Sequence, residues 1–201
     1  MFRMKPLTLL AVAVLAAMSM GTVWGDSPAA ATAPPTDTLQ VNYFANANTA
    51  GAPDGTVELT NPGTSANATI CAMIYVFEPD EEMAECCGCT LTPNDLRTLS
   101  VNTNLTSNPL TGSSLVGSGT VSIVSATDSG TCNPTTVTPT PSTRDWGTHI
   151  LTVSTGGFVI TETTFQSATL GATNLAALEA GCRAISLEGS GHGICTCGNG
   201  S

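Results

Sequence analysis

Lysine is all but missing. Of the five basic residues in this 201-residue chain, Lys5 is the sole lysine, and beyond residue 25 only Arg97, Arg144 and Arg183 carry positive charge. All fifteen acidic residues lie at or after Asp26, so the chain from there on stands near −12, fifteen acids less three arginines. A nucleic-acid partner needs a basic footprint, and there is none. Lysine catalysis, lysine isopeptide crosslinks and lysine-dependent sortase coupling are excluded with it. Charge of either sign is scarce at 10% of residues, well under the usual ~25% of a globular domain. Thr, Ser, Asn and Gly supply the polarity instead, a surface that suits export and repels little when copies pack side by side. Aromatics are few, 4% of the chain, which leaves few platforms for sugars. Beyond the N-terminal residues no apolar run is long enough to span a bilayer.

What the N-terminus does hold reads as an address. Arg3 and Lys5 precede a short apolar run, Leu7 to Met18, and Val23 and Gly25 stand three and one positions before Asp26. The run is shorter than the ~18–20 residues of a membrane span, so 1–25 is read as a secretory signal peptide cleaved near Gly25. The mature chain is expected to be secreted, extracellular or at the cell surface, with no membrane span. Residues 26–38, "DSPAAATAPPTDT", form a low-complexity arm expected to be flexible. Residues 39–201 are expected to fold as a single domain with a core of its own.

Alternation dominates that domain. "LQVNY" places Leu39, Val41 and Tyr43 on one side of a half-buried strand, and "TVELT" repeats the pattern before the turn signal Asn61-Pro62-Gly63. In "ATICAMIYVF", Ile70, Ala72, Ile74 and Val76 face one way and Cys71, Met73, Tyr75 and Phe77 the other. Both faces are apolar, which predicts a central strand covered on both sides. An acidic connector follows, and Thr92-Pro93-Asn94-Asp95 predicts one helical turn or a tight bend. "RTLSV" and "TVSIVSA" are strand candidates, 132–143 is too proline-rich for a central strand, and "THILTVS" with "FVITETTF" predicts a hairpin across Gly156-Gly157. Near the end the period changes. Leu175, Leu178, Cys182 and Ile185 share one helical face, with Thr173 as a cap. The pattern predicts a mainly β fold, an antiparallel Ig-like β-sandwich with one C-terminal helix, stapled by disulfides; a small closed barrel is the runner-up.

Cysteine is the exception to the scarcity. There are eight: Cys71, Cys86, Cys87, Cys89, Cys132, Cys182, Cys195 and Cys197. An even number in an exported chain predicts four disulfides. Cys86 and Cys87 are neighbours, and a bridge between adjacent residues is strained because their Cα atoms are only ~3.8 Å apart. They should therefore take separate partners. Three cysteines lie in the knot "CCGC" and three in the tail, so the simplest matching is knot to tail, with Cys71 left for Cys132. Local pairs such as Cys182 with Cys195 are the rival.

Other chemistry competes for some of these residues. Cys86, Cys87, Cys89, His192, Cys195 and Cys197 can be assembled on paper into a thiolate metal site, although neither segment has the C-x₂-C spacing of a zinc ribbon. Asp145 and His149 are candidate partners for a serine hydrolase, but "GSGHG" is not a nucleophile elbow. The acids Glu78, Asp80, Glu81, Glu82 and Glu85 lack the alternating spacing of a calcium loop and read as a solvated connector.

The stretch "ICAMIYVFEPDEEMAECCGCTLTPNDLRTLSVNTNLTSNPLTG" resembles a group of secreted, cysteine-rich bacterial proteins of unknown function, and "RDWGTHI", "ITETTFQSATL" and "GSGHGICTCG" continue the likeness. The resemblance implies secretion and one cysteine-tied domain, and no site residues. The function expected is a non-enzymatic structural or adhesive one without cofactor, with copies of the same chain as partners. Its sharper form is a fibre or pilus subunit in which the strand bearing Leu39, Val41 and Tyr43 adds to a neighbour's sheet. A thiolate metal-binding protein and a secreted hydrolase are the alternatives.

Overall fold

The computed structural model describes residues 37–47, 51–64, 68–107, 117–141, 143–187 and 193–198. The signal-peptide reading of 1–25, the arm up to residue 36 and His192 fall outside the described residues. The strands are β1 (Leu39–Ala45), β2 (Thr56–Thr60), β3 (Ile70–Phe77), β4 (Met83–Leu91), β5 (Leu96–Ser100), β6 (Ser118–Thr127), β7 (Arg144–Thr152), β8 (Phe158–Thr164) and β9 (Gln166–Ala168). A π-helical turn, Val101–Leu105, follows β5, and a helix, α1 (Ala172–Leu187), follows β9.

The strands form one sheet in the order β4-β3-β6-β1-β7-β2-β5, with β8 on β7 and β9 on β1. β3 lies between β4 and β6 and is buried from Ile70 to Val76. Its two apolar faces serve two cores. Ile70, Ala72, Ile74 and Val76 join Phe44, Val57, Leu59, Leu91, Leu99, Val121 and Ile123 inside the sheet. Cys71, Met73 and Tyr75 join Leu39, Val124 and Leu170 in a second layer, against which Leu175, Leu178 and Ile185 of α1 pack.

The sheet is a nearly closed, barrel-like mixed sheet rather than a clear antiparallel Ig-like sandwich, for three reasons. β1 and β7 run parallel, meeting at Ala45 and His149. The chain from β8 to β9 turns a corner: Phe165 N–H donates to Asp145 O at 2.9 Å, after which Gln166–Ala168 leaves β7 and pairs with β1. Lastly, the terminal strands of the order, β4 and β5, are consecutive in sequence. Between them Asp95 N–H donates to Thr92 O at 2.9 Å, Pro93 takes the second turn position and Asn94 adopts φ +63°. That is the chemistry of a type II turn, so the expected capping box is a tight bend.

Two other expectations shift. The knot segment, read as a connector and a cysteine cluster, is the strand β4. Thr173 lies inside α1 rather than capping it: Leu175 N–H donates to Gly171 O at 3.0 Å, which makes Gly171 the cap residue. The described residues contain no helix long and apolar enough to cross a membrane.

Candidate functional site: four bridges around one edge strand

The site begins with the pleat of β4. Side chains alternate across a strand, so Cys86 faces α1 while Cys87 and Cys89 face the interior. Adjacent cysteines thus meet different elements. Cys86 bonds Cys182 of α1, Cys87 bonds Cys195, Cys89 bonds Cys197, and the fourth bridge joins Cys71 of β3 to Cys132. Knot meets tail at all three positions, and among the described residues no cysteine is free.

The tail runs parallel to β4. Cys86 N–H donates to Gly193 O at 2.9 Å and Cys195 N–H donates to Cys86 O at 3.2 Å. On its other side Thr196 N–H donates to Asn104 O at 3.0 Å, and Asn104 Nδ2 donates to Thr196 Oγ1 at 2.7 Å. The tail therefore spans the gap between β4 and the turn after β5. A bare sheet edge invites pairing with other chains, and this one is covered and bolted.

Gly88 explains the spelling of the knot. A Cβ built there would lie 2.1 Å from Cys132 O and 2.7 Å from Cys132 C. The backbone carrying the fourth bridge passes where any other residue would put a side chain, so the loop at Cys132 packs directly on the knot. A cavity of about 340 Å³ opens beside it, walled by Cys86, Cys87, Cys132, Pro134, Ile194 and Cys195 among others.

The metal-ligand set of the sequence is divided by this arrangement. Cys86 belongs to the helix-facing layer, whereas the sulfurs of Cys87, Cys89 and Cys197 lie within 4.8 Å of one another. The acids at 78–85 do not converge: Asp80, Glu81 and Glu82 are exposed at the β3–β4 turn, and Glu85 is buried within β4.

The hydrolase candidates also fail to meet. Asp145 and His149 both sit on β7, four residues and therefore about 13 Å apart along an extended strand. His149 Nε2 lies 2.7 Å from Thr163 Oγ1, and its ring stacks on Tyr43 with centroids 4.0 Å apart. Burial holds the imidazole below its usual pKa. Asp145 is 2% exposed. Burial pushes its pKa up to about 8, against the opposing pull of Thr143 and Arg144. Both groups are thus kept neutral at ordinary pH.

Sequence reasoning missed the role of Gly88 and the exposure of the β7–β8 hairpin. Among the described residues β8 has one strand partner, β7, and all seven of its residues are half-buried or exposed. Leu151, Val153, Val159 and Ile160 account for four of the seven large exposed hydrophobic residues among the described ones. A run of Gly-Gly between two strands signals such a hairpin, but not that both its faces stand in solvent. The chain matches no protein-family model, no curated protein and no solved structure.

Proposed function

We propose that this chain is an exported, non-enzymatic structural or adhesive module whose copies associate through the outer edge of β8. The observation that carries this reading is the hairpin. β8 presents Val159, Ile160, Thr161, Thr163 and Thr164, β-branched residues that favour extended pairing, and a single charge, Glu162. An open, weakly charged edge of this kind is a template for another strand. Two copies related by a two-fold axis at Thr161 set Ile160 opposite Glu162 of the second copy, so the like charges do not face each other. Four disulfides fit the oxidising surroundings of an exported protein.

The fibre version built on N-terminal strand addition is a second reading. It draws on the position of β1 as the first strand after the arm. β1 pairs along Leu39–Ala45 with β6 and along Leu39–Val41 with β9, so it acts as a donor only by leaving its own sheet for the same slot in a neighbour. Leu39 is buried there and Tyr43 is exposed.

Light scattering and electron microscopy of the secreted protein test both. We expect concentration-dependent assemblies that Ile160→Lys abolishes and that deletion of 26–36 leaves intact. Assemblies lost on the deletion but kept in Ile160→Lys favour the N-terminal strand; a wild-type chain that stays monomeric at every concentration removes both.

A further inference from the structure

The geometry points to a second state of the tail lock: we propose that Cys87, Cys89, Cys195 and Cys197, once their two bridges are opened by a dithiol reductant, hold a single zinc ion as a tetrathiolate. Cys87 and Cys89 are two residues apart on the inward face of β4, and Cys195 and Cys197 are two residues apart on a tail that runs parallel beside it. The bridges are two neighbouring rungs. The sulfurs of Cys87, Cys89 and Cys197 already lie within 4.8 Å of one another, and that of Cys195 is bonded to Cys87.

Zinc sits ~2.3 Å from each thiolate in a tetrahedral site, which sets neighbouring sulfurs ~3.8 Å apart. Each broken bridge must therefore widen by under ~2 Å from its ~2.05 Å length, while Cys195, whose sulfur lies outside the 4.8 Å group, must swing toward the other sulfurs; rotation about the Cα–Cβ bonds moves sulfurs on this scale. The backbone around the four sulfurs is held by other means. The tail keeps its hydrogen bonds to Cys86 and Asn104, and the backbone at Cys132 packs directly on Gly88, contacts that do not depend on the other two bridges. Access comes from the cavity of about 340 Å³, into whose wall Cys87, Cys195 and the half-buried Cys197 project. The second sulfur cluster, Cys71, Cys132 and Asp128, offers only three ligands and no such pairing of rungs.

The chemistry balances without a further reagent. Each disulfide accepts two electrons and two protons from one dithiol, which leaves as a disulfide. Two dithiols thus yield four thiols. Binding Zn²⁺ then releases four protons, one from each thiol, and forms four zinc–sulfur bonds. In oxidising surroundings the tail is fixed by two covalent rungs; under reduction the same atoms hold it through the metal. The proposal rests on the bridges alone and is independent of self-association at β8.

Full-length protein, reduced under anaerobic conditions and freed of reductant, is titrated with Co²⁺ and then Zn²⁺. We expect one Co²⁺ per chain with the absorption of a tetrahedral four-thiolate site, its displacement by one Zn²⁺, and recovery of the near-ultraviolet circular dichroism lost on reduction. Cys71→Ser/Cys132→Ser and Cys86→Ser/Cys182→Ser should bind as the parent does. Cys87→Ser/Cys195→Ser should lose the site while its oxidised form keeps the folded spectrum. The proposal fails if the reduced chain takes up no cobalt, if the spectrum reports fewer than four thiolates, if Cys87→Ser/Cys195→Ser binds like the parent, or if zinc leaves the reduced chain unfolded.

Discussion

Gly88 and Asp145 show how single residues constrain this molecule. At Gly88 the neighbour is backbone, Cys132 O at 2.1 Å from a built Cβ, and backbone tied by a bridge cannot swing aside as a side chain can. Gly88→Ala should therefore destabilise the fold by about 2–3 kcal/mol, the upper range of overpacking, read as a lower urea midpoint at unchanged slope. A midpoint equal to the parent's would mean that the 132–135 loop yields. Asp145 is a buried acid held neutral, with a folded pKa of about 8 against 3.8 unfolded. Between those values the folded state keeps a proton that the unfolded chain releases. Its stabilising effect is whole below pH ~4, falls by at most about 1.4 kcal/mol per pH unit across the window, and is gone above pH ~8. His149 acts in the opposite sense: kept neutral by burial, it weakens the fold as pH drops below its unfolded value of 6.5. Comparing Asp145→Asn with the parent cancels that contribution. The variant should melt higher than the parent at pH 8, and the gap should close by pH 4. A gap that is constant with pH would show that the carboxyl is ionised throughout.

At the scale of elements, some of the fold was legible in the sequence and some was not. β3 could be read because its two apolar faces alternate without interruption, and α1 because Leu175, Leu178, Cys182 and Ile185 repeat at helical spacing. β4 could not, because Glu85, a buried acid, and Gly88, a missing side chain, break the alternation of Met83–Leu91. The knot-to-tail matching followed from three cysteines facing three, but the individual partners depend on which face of β4 each cysteine takes. Nothing in "FVITETT" told that both faces of β8 stand in solvent, since its apolar residues suit a buried strand as well. The corner at Phe165, which bends the sheet toward closure, carries no local signature either. The staple between elements makes a separate prediction. Cys86–Cys182 is the one bridge that ties α1 to the sheet. Cys86→Ser/Cys182→Ser should lower stability by about 2–4 kcal/mol, and hydrogen exchange should show α1 amides losing protection while those of β3 and β6 keep theirs. Uniform loss across β3 and α1 would mean that the helix and sheet open together.

At the scale of the whole molecule, covalent closure and charge act in opposite directions on association. The bridges join residues 61, 96, 108 and 108 positions apart, so they restrict the chain from Cys71 to Cys197, with β1 and β2 outside every loop, and keep β4 and its tail from opening as a competing edge. What remains for a second copy is the hairpin, approached by a molecule whose net charge is strongly negative and unbalanced by lysine. The acids are sparse, so their repulsion is long-ranged and diffuse rather than a local clash, and it is this kind of repulsion that salt removes: the screening length falls from ~30 Å at 0.01 M to ~8 Å at 0.15 M. Association through β8, which carries one acid, should therefore strengthen as salt rises. Sedimentation of the purified protein at low and at physiological ionic strength should show the monomer fraction falling as salt is added, and Glu162→Gln should reproduce only a small part of that change, because most of the repulsion comes from acids elsewhere. Assemblies that dissolve as salt rises would instead mark a contact held by opposite charges, and would place the interface at Arg97, Arg144 or Arg183 rather than at the hairpin.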